Sequence, residues 1–179
     1  NMNLMKRPKL LLINPYIYDF AAYDLWSKPL GLLYLAGVLE DNGCEIILLD
    51  AMDRWHPDVL KIQNRSFPKS KPYGDGHFHK ETVAKPHEFS LVPRHYSRYG
   101  MPPEVLRSNL EEIKRAHHVE AVLVTSGMTY WYRGVHEAMQ VNPPALHAMG
   151  EEQVHAVFER RDAVGNFCEI IFAHLLLRG

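Results

Sequence analysis

The sequence predicts an α/β domain built on a parallel sheet, on three observations. Two are continuous apolar runs, Lys9–Ile13 closed by Asn14-Pro15 and Glu45–Leu49 closed by Asp50. Such runs suit strands buried on both faces, as the strands of a parallel sheet are. The third is the stretch between them. Leu30, Leu33, Tyr34, Gly37 and Val38 recur at helical spacing through Leu39, Pro29 stands where a first turn tolerates it, and Asn42-Gly43 closes the helix. Strand, loop, helix, cap and strand make a βαβ unit, whose crossover is expected to be right-handed. The architecture expected is a three-layer Rossmann- or flavodoxin-like domain.

Residues 52–102 break the pattern. Proline, histidine, lysine, tyrosine and glycine dominate, as in Pro68-Lys69-Ser70-Lys71-Pro72-Tyr73-Gly74-Asp75-Gly76, and neither a period of 2 nor one of 3.6 persists. Structureless stretches of this length are uncommon inside compact domains. Trp55, Phe67, Tyr73, Phe78, Phe89, Tyr96 and Tyr99 argue against disorder. The expectation is an ordered excursion lying over one end of the sheet.

Regular structure resumes at Pro102-Pro103. Val105, Leu106, Leu110 and Ile113 mark an amphipathic helix, with Glu104 in its first turn and Lys114-Arg115 in its last, as the helix dipole favours. Val119 to Thr125 reads as a third strand, and a helix near Tyr132 carries Val135, Ala138 and Met139. The domain is therefore set at residues 3–140. Residues 141–179 form an atypical tail: Asn142-Pro143-Pro144, a helical stretch near Glu151 to Arg160, and an apolar end from Phe167 through Leu177. On this reading the sheet is incomplete at its C-terminal end. The third strand keeps an open edge, and open edges recruit other chains, so a homodimer or swapped arrangement is expected.

Composition narrows the class. A chain of 179 residues with 46% hydrophobic and 23% charged residues buries a core without staples. A net charge of -1 offers no electrostatic case for nucleic acid or an anionic membrane. Cys44 and Cys168 stand apart with no paired spacing, and no apolar run is long enough to span a bilayer. The apolar run after Lys6-Arg7 lacks a cleavage signature, so a cytoplasmic location is expected.

In open α/β sheets, ligands sit beyond the carboxyl ends of the strands at the topological switch point. Two loops emerge there, Asn14 to Phe20 and Thr125 to Trp131. Candidate binding residues are Asn14, Pro15, Tyr16, Thr125, Ser126, Gly127, Tyr130 and Trp131. Their hydroxyls and nearby backbone amides suit phosphate or amide groups, and their aromatic faces suit a flat ring. The plainer alternative is that these aromatics cap the sheet and meet the excursion or a partner domain.

There is no GxGxxG, GxxxxGK[ST] or GxSxG motif. His77 and His79, with His87 and His95 further on, have the chemistry to bind zinc or nickel, although loop histidines are more often solvated. Arg94, Arg98 and Lys80 suit a phosphate or, more simply, a solvated face. Neither a catalytic residue nor a metal ligand is assigned.

Four stretches go further: "KPLGLLYLAGVLEDNGCEIILLDAMDRW" from Lys28, "YGDGHFHKE" from Tyr73, "PRHYSRYGMPPE" from Pro93 and "VTSGMTYWYRGVHEA" from Val124. Through them, residues 9 to about 139 resemble the N-terminal cobalamin-binding-like domain of a group of radical S-adenosylmethionine (radical SAM) proteins. The resemblance implies a non-catalytic accessory domain, a catalytic radical SAM domain as its partner, and a corrinoid as possible cofactor.

Two departures qualify it. Such domains that ligate cobalt carry DxHxxG after the first strand, where this chain has Asn14-Pro15-Tyr16-Ile17-Tyr18; any cobalamin would bind without a histidine ligand. The nearest imitation, Asp75-Gly76-His77 with Lys80, lies after the second strand. The catalytic half of these proteins holds a [4Fe–4S] cluster through CxxxCxxC, and two isolated cysteines do not supply it. The chain is therefore expected to have no cluster and no activity on its own. A stand-alone flavodoxin-like domain that binds a small ligand or nucleotide, or acts as an enzyme, is the alternative.

The resemblance stops after Gln140, where a fourth strand is due. A shifted reading frame would account for this, and a divergent natural tail is the alternative. Under the first, translating the flanking DNA in all frames will yield a fourth strand and a cysteine triplet; finding neither rules it out.

Overall fold

The computed structural model describes residues 7–24, 28–71, 76–128 and 131–140, together with the backbone of 152–161 and 167–177. In chain order the elements are β1 (Lys9–Asn14), β2 (Ile17–Asp19), α1 (Leu30–Asp41), β3 (Glu45–Asp50), α2 (Pro57–Ile62), β4 (Lys80–Thr82), β5 (Ser97–Tyr99), α3 (Pro103–Ala116), β6 (Ala121–Ser126), α4 (Tyr132–Gln140), β7 (Glu152–Arg161) and β8 (Phe167–Leu177), with a 3-10 turn at His87–Phe89.

β1 is the central strand. It runs parallel to β3, from Lys9↔Glu45 to Asn14↔Asp50, and parallel to β6, from Leu10↔Ala121 to Ile13↔Val124. Its alternate side chains serve two cores. Leu10 and Leu12 pack with Leu32, Leu35 and Leu39 of α1 and with Ala121 and Leu123. Leu11 and Ile13 pack with Val122 and Val124, with Val105, Leu106 and Leu110 of α3, and with Val135 and Ala138 of α4. Fully burying one such aliphatic side chain is worth about 1.5–3 kcal/mol, so a strand apolar on both faces is held between two helical layers. The chain is thus an α/β protein with three parallel strands and helices on both sides of them. None of its described helices is long and apolar enough to cross a membrane.

The helix ends follow from their residues. The Asn42 and Gly43 N–H groups return to carbonyls of the last turn of α1, and Gly43 takes φ +86°, a conformation that favours glycine. α3 starts with Pro103 in its first turn and Glu104 beside it, and ends on Lys114 and Arg115.

Expectations for two stretches of the chain are corrected. The stretch near Glu151 to Arg160 is not helical: it is strand β7, antiparallel to β8. Val154, Ala156 and Phe158 recur at the period of a strand. β8 in turn pairs antiparallel with β6, from Ala121↔Leu175 to Ser126↔Ile170. The sheet is therefore mixed, in the order β3-β1-β6-β8-β7. The third parallel strand does not keep an open edge, because the chain's own tail satisfies its backbone groups.

The second correction concerns residues 52–102, which contain regular elements. β2, β5 and β4 form a separate antiparallel sheet in that order, from Ile17↔Tyr99 to Asp19↔Ser97 on one side and Lys80↔Tyr99 to Thr82↔Ser97 on the other. β2 follows β1 after only Pro15 and Tyr16, so this small sheet lies at the carboxyl end of the large one.

α4 seats against the joint between the two sheets. A Cβ placed on Gly134 would stand 1.9 Å from the Tyr16 carbonyl oxygen. Gly134→Ala is expected to lower stability by about 1–3 kcal/mol, the usual range for overpacking, measured from the urea midpoint. At an exposed helical site the same change stabilises by about 0.5–1 kcal/mol, so a raised midpoint would refute the contact.

Candidate functional site

The order β3-β1-β6 places consecutive parallel strands on opposite sides of β1, so the switch point lies at the carboxyl ends of β1 and β6. A concavity opens there. It is lined by Asn14, Pro15, Tyr16 and Ile17 after β1, Lys28 and Pro29 before α1, Ser126 and Gly127 at the end of β6, and Trp131 before α4. Six expected site residues thus meet: Asn14, Pro15, Tyr16, Ser126, Gly127 and Trp131. Thr125 is fully buried within β6 and does not line the concavity. Tyr130 lies outside the described residues. Lys28, Pro29 and Ile17 were not anticipated; the signal for the first two was the start of α1, which a βαβ crossover brings to the same end of the sheet.

The polar groups at the rim already hold one another. Asn14 Nδ2 donates to Asp50 Oδ1 at 2.7 Å, and the Met52 N–H donates to the same oxygen at 2.9 Å. These bonds clamp the neighbouring ends of β1 and β3. Burial raises the Asp50 pKa, and the Asn14 and Met52 hydrogen bonds and the Lys28 charge act against that rise. Ser126 Oγ donates to the Met128 carbonyl at 2.6 Å. Trp131 Nε1 donates to Asp19 Oδ2 at 2.9 Å.

The small sheet is locked on beside the concavity. Arg98 of β5 donates to Glu137 of α4 at 2.9 Å and also to Glu81 of β4, which His79 approaches at 3.4 Å. The Tyr18 hydroxyl donates to Glu137, and the Arg133 guanidinium stacks over the Tyr18 ring at 4.5 Å. Burial, then the hydrogen bond and charge of Glu137, push the Tyr18 pKa up to about 12. Tyr96 and Tyr99 hydroxyls donate to the Tyr18 and Phe20 carbonyls, each at 3.2 Å. Burial likewise raises the pKa of Tyr16, whose hydroxyl has no hydrogen-bond partner among the described residues.

Arg98, considered as a phosphate ligand, therefore sits in ion pairs within the fold. Tyr16, Tyr18 and Trp131 are 1%, 3% and 7% exposed. They are buried beneath the excursion, and Tyr16 and Trp131 also line the concavity. Among the described residues, no group of three or more His, Cys, Asp or Glu side chains stands where it could hold a metal.

The concavity, as the described residues line it, is too small for a corrinoid. Water-sized occupants have about 30 Å³ in the concavity, room for two or three waters at about 10–15 Å³ each. Pockets for drug-sized ligands run to about 300–1,000 Å³. No imidazole stands among the lining residues. What the arrangement suits is a small polar group beside Lys28.

The raised Asp50 pKa sets a pH dependence. A carboxyl whose folded pKa exceeds its unfolded value contributes stability that is fully present below the unfolded value, here near 3.8, and is lost as pH rises through the folded value. Asp50→Asn keeps an oxygen for both hydrogen bonds and removes the charge. The variant is expected to gain stability relative to wild type as pH rises above 3.8, read as urea midpoints at successive pH values; parallel curves would refute it.

No protein-family model, curated protein or solved structure matches this chain.

Proposed function

We propose that the chain is the N-terminal accessory domain of a radical SAM protein, Rossmann-like with a flavodoxin-like strand order and cobalamin-binding-like in origin. In this reading it works by covering a catalytic domain and not by holding a corrinoid. The observation that carries it is the closed carboxyl end: the small sheet, the buried Tyr16, Tyr18 and Trp131, and the Arg98–Glu137 ion pair occupy the space a large ring would need.

Three further points support the reading. Taken in chain order, the parallel strands stand second, first, third across the sheet, as in flavodoxin-like domains. The stretches that carry the resemblance converge on the closed end: Lys28–Trp55 runs from the rim through α1 and β3, Pro93–Glu104 covers β5, and Val124–Ala138 runs from β6 into α4. The chemistry itself needs a thiolate-bound cluster, which belongs to the partner domain. A cytoplasmic setting follows from the same assignment.

A second reading is a small-ligand domain that uses the concavity directly. Lys28 favours it, because this cation lines the site beside Asn14 and Ser126.

Mixing the protein with hydroxocobalamin or methylcobalamin and reading absorbance after gel filtration tests the first reading. The expected result is colourless protein. Retained pink protein would overturn the covering role and make this a corrinoid domain without a histidine ligand.

A further inference from the structure

Among the described residues, nothing covers the outer face of α1. Its inner face (Leu32, Leu35, Ala36 and Leu39) packs on the sheet. Its outer face is apolar as well: Leu30, Leu33, Tyr34 and Val38 are 63%, 40%, 70% and 57% exposed. A helix apolar all round is normally buried all round. Leu48, on the α1 side of edge strand β3, is also exposed. A contiguous patch of this kind marks an interaction surface.

The charges on α1 say what fits that surface. Its last turn ends in Glu40 and Asp41, and it has neither an acid in the first turn nor a base in the last. That is the reverse of what a helix's own dipole favours. Lys28 stands two residues ahead of the helix and is exposed, and its charge also acts on Asp50 at the rim of the concavity. An antiparallel copy of the same helix corrects both ends together. It brings the partner's Lys28 and positive helix start to Glu40 and Asp41, and a two-fold axis makes the contact twice.

Gly37 adds a steric reason. Glycine inside a helix is destabilising relative to alanine. Nothing among the described residues requires it, because a Cβ there would meet no atom within 4 Å.

We propose that α1 is a homodimer interface in which two copies pack antiparallel. Each Tyr34 ring lies over the partner's Gly37, Leu33 faces the partner's Val38, and Lys28 reaches the partner's Glu40 and Asp41. The edge of β6 takes no part, since β8 occupies it.

Sedimentation velocity of the full chain over a range of concentrations is the test, with circular dichroism to show that each variant folds. The wild type is expected to dimerise, and Val38→Glu to be monomeric, because a carboxylate in an apolar contact loses its hydration. Gly37→Leu is expected to raise the melting temperature of the monomer while weakening the dimer; a purely structural glycine would not separate the two. Lys28→Glu is expected to weaken the dimer about tenfold. Combining it with Glu40→Lys and Asp41→Lys is expected to restore association, since both ends are then reversed together. A wild type that stays monomeric at high concentration overturns the proposal. So does a dimer that neither Val38→Glu nor Gly37→Leu weakens, which would place the contact elsewhere, as at the edge of β7.

Discussion

One guanidinium holds the two halves of this molecule together. Arg98 projects from the middle of the small sheet, 12% exposed, and its fork reaches Glu81 in the same sheet and Glu137 on α4. Glu137 also takes the Tyr18 hydroxyl, and the Arg98 charge lies 5.5 Å over the Tyr16 ring. The excursion, the loop after β1 and the last described helix thus share one ion-pair cluster. The cluster is graded in exposure, from Arg98 at 12% through Glu137 at 25% to Glu81 at 42%, so solvent screens its Glu81 arm more than its Glu137 arm. The small sheet has only three residues per strand and little core of its own, so its place over the large sheet depends on this contact and on the tyrosines packed around it.

That closure shapes the carboxyl end of the sheet. In an open α/β domain this end is free to receive a ligand. Here aromatic side chains that would suit a flat cofactor have become part of the wall. Tyr18, Phe20, Phe89 and Tyr96 pack edge-on or tilted against one another with ring centroids 5.3–6.2 Å apart, and the Tyr96 hydroxyl donates to the Tyr18 carbonyl while the Tyr18 hydroxyl donates to Glu137. What is left at the surface is a shallow polar notch beside Lys28 and, on the far side of β1, the uncovered flank of α1.

Much of this was legible in the residues. The strands β1 and β6 announce themselves as uninterrupted aliphatic runs because both their faces are buried; β3 carries a similar run although its edge position leaves Leu48 exposed, and α3 shows Val105, Leu106 and Leu110 on one stripe. Asn14 and Ser126 could be placed at the site because they end strands of known direction. The small sheet was not legible: three-residue strands are too short for alternation to register, and β2 finds its partner β5 some eighty positions away, Ile17 opposite Tyr99. The expected helix at Glu151 failed for a related reason. Glu151-Glu152 and Arg160-Arg161 resemble the charged ends of a helix, while the decisive fact, pairing with β8, is not local. Arg98 was the hardest to read, since nothing in sequence separates an arginine facing solvent from one facing two glutamates.

The position of β1 in the middle of its sheet bears on how the chain is made. β1, α1 and β3 can associate as soon as residue 50 leaves the ribosome, but β1's other neighbour begins only at Ala121. At about 5–20 residues per second, the intervening seventy or so residues take several seconds to synthesise. Throughout that interval a strongly aliphatic strand keeps an unpaired edge, and β2 waits for β5. Such a nascent chain invites association with its neighbours on the same message. Its yield in the cell should therefore depend less on the stability of the finished fold than on chaperones that shield β1 until β6 arrives.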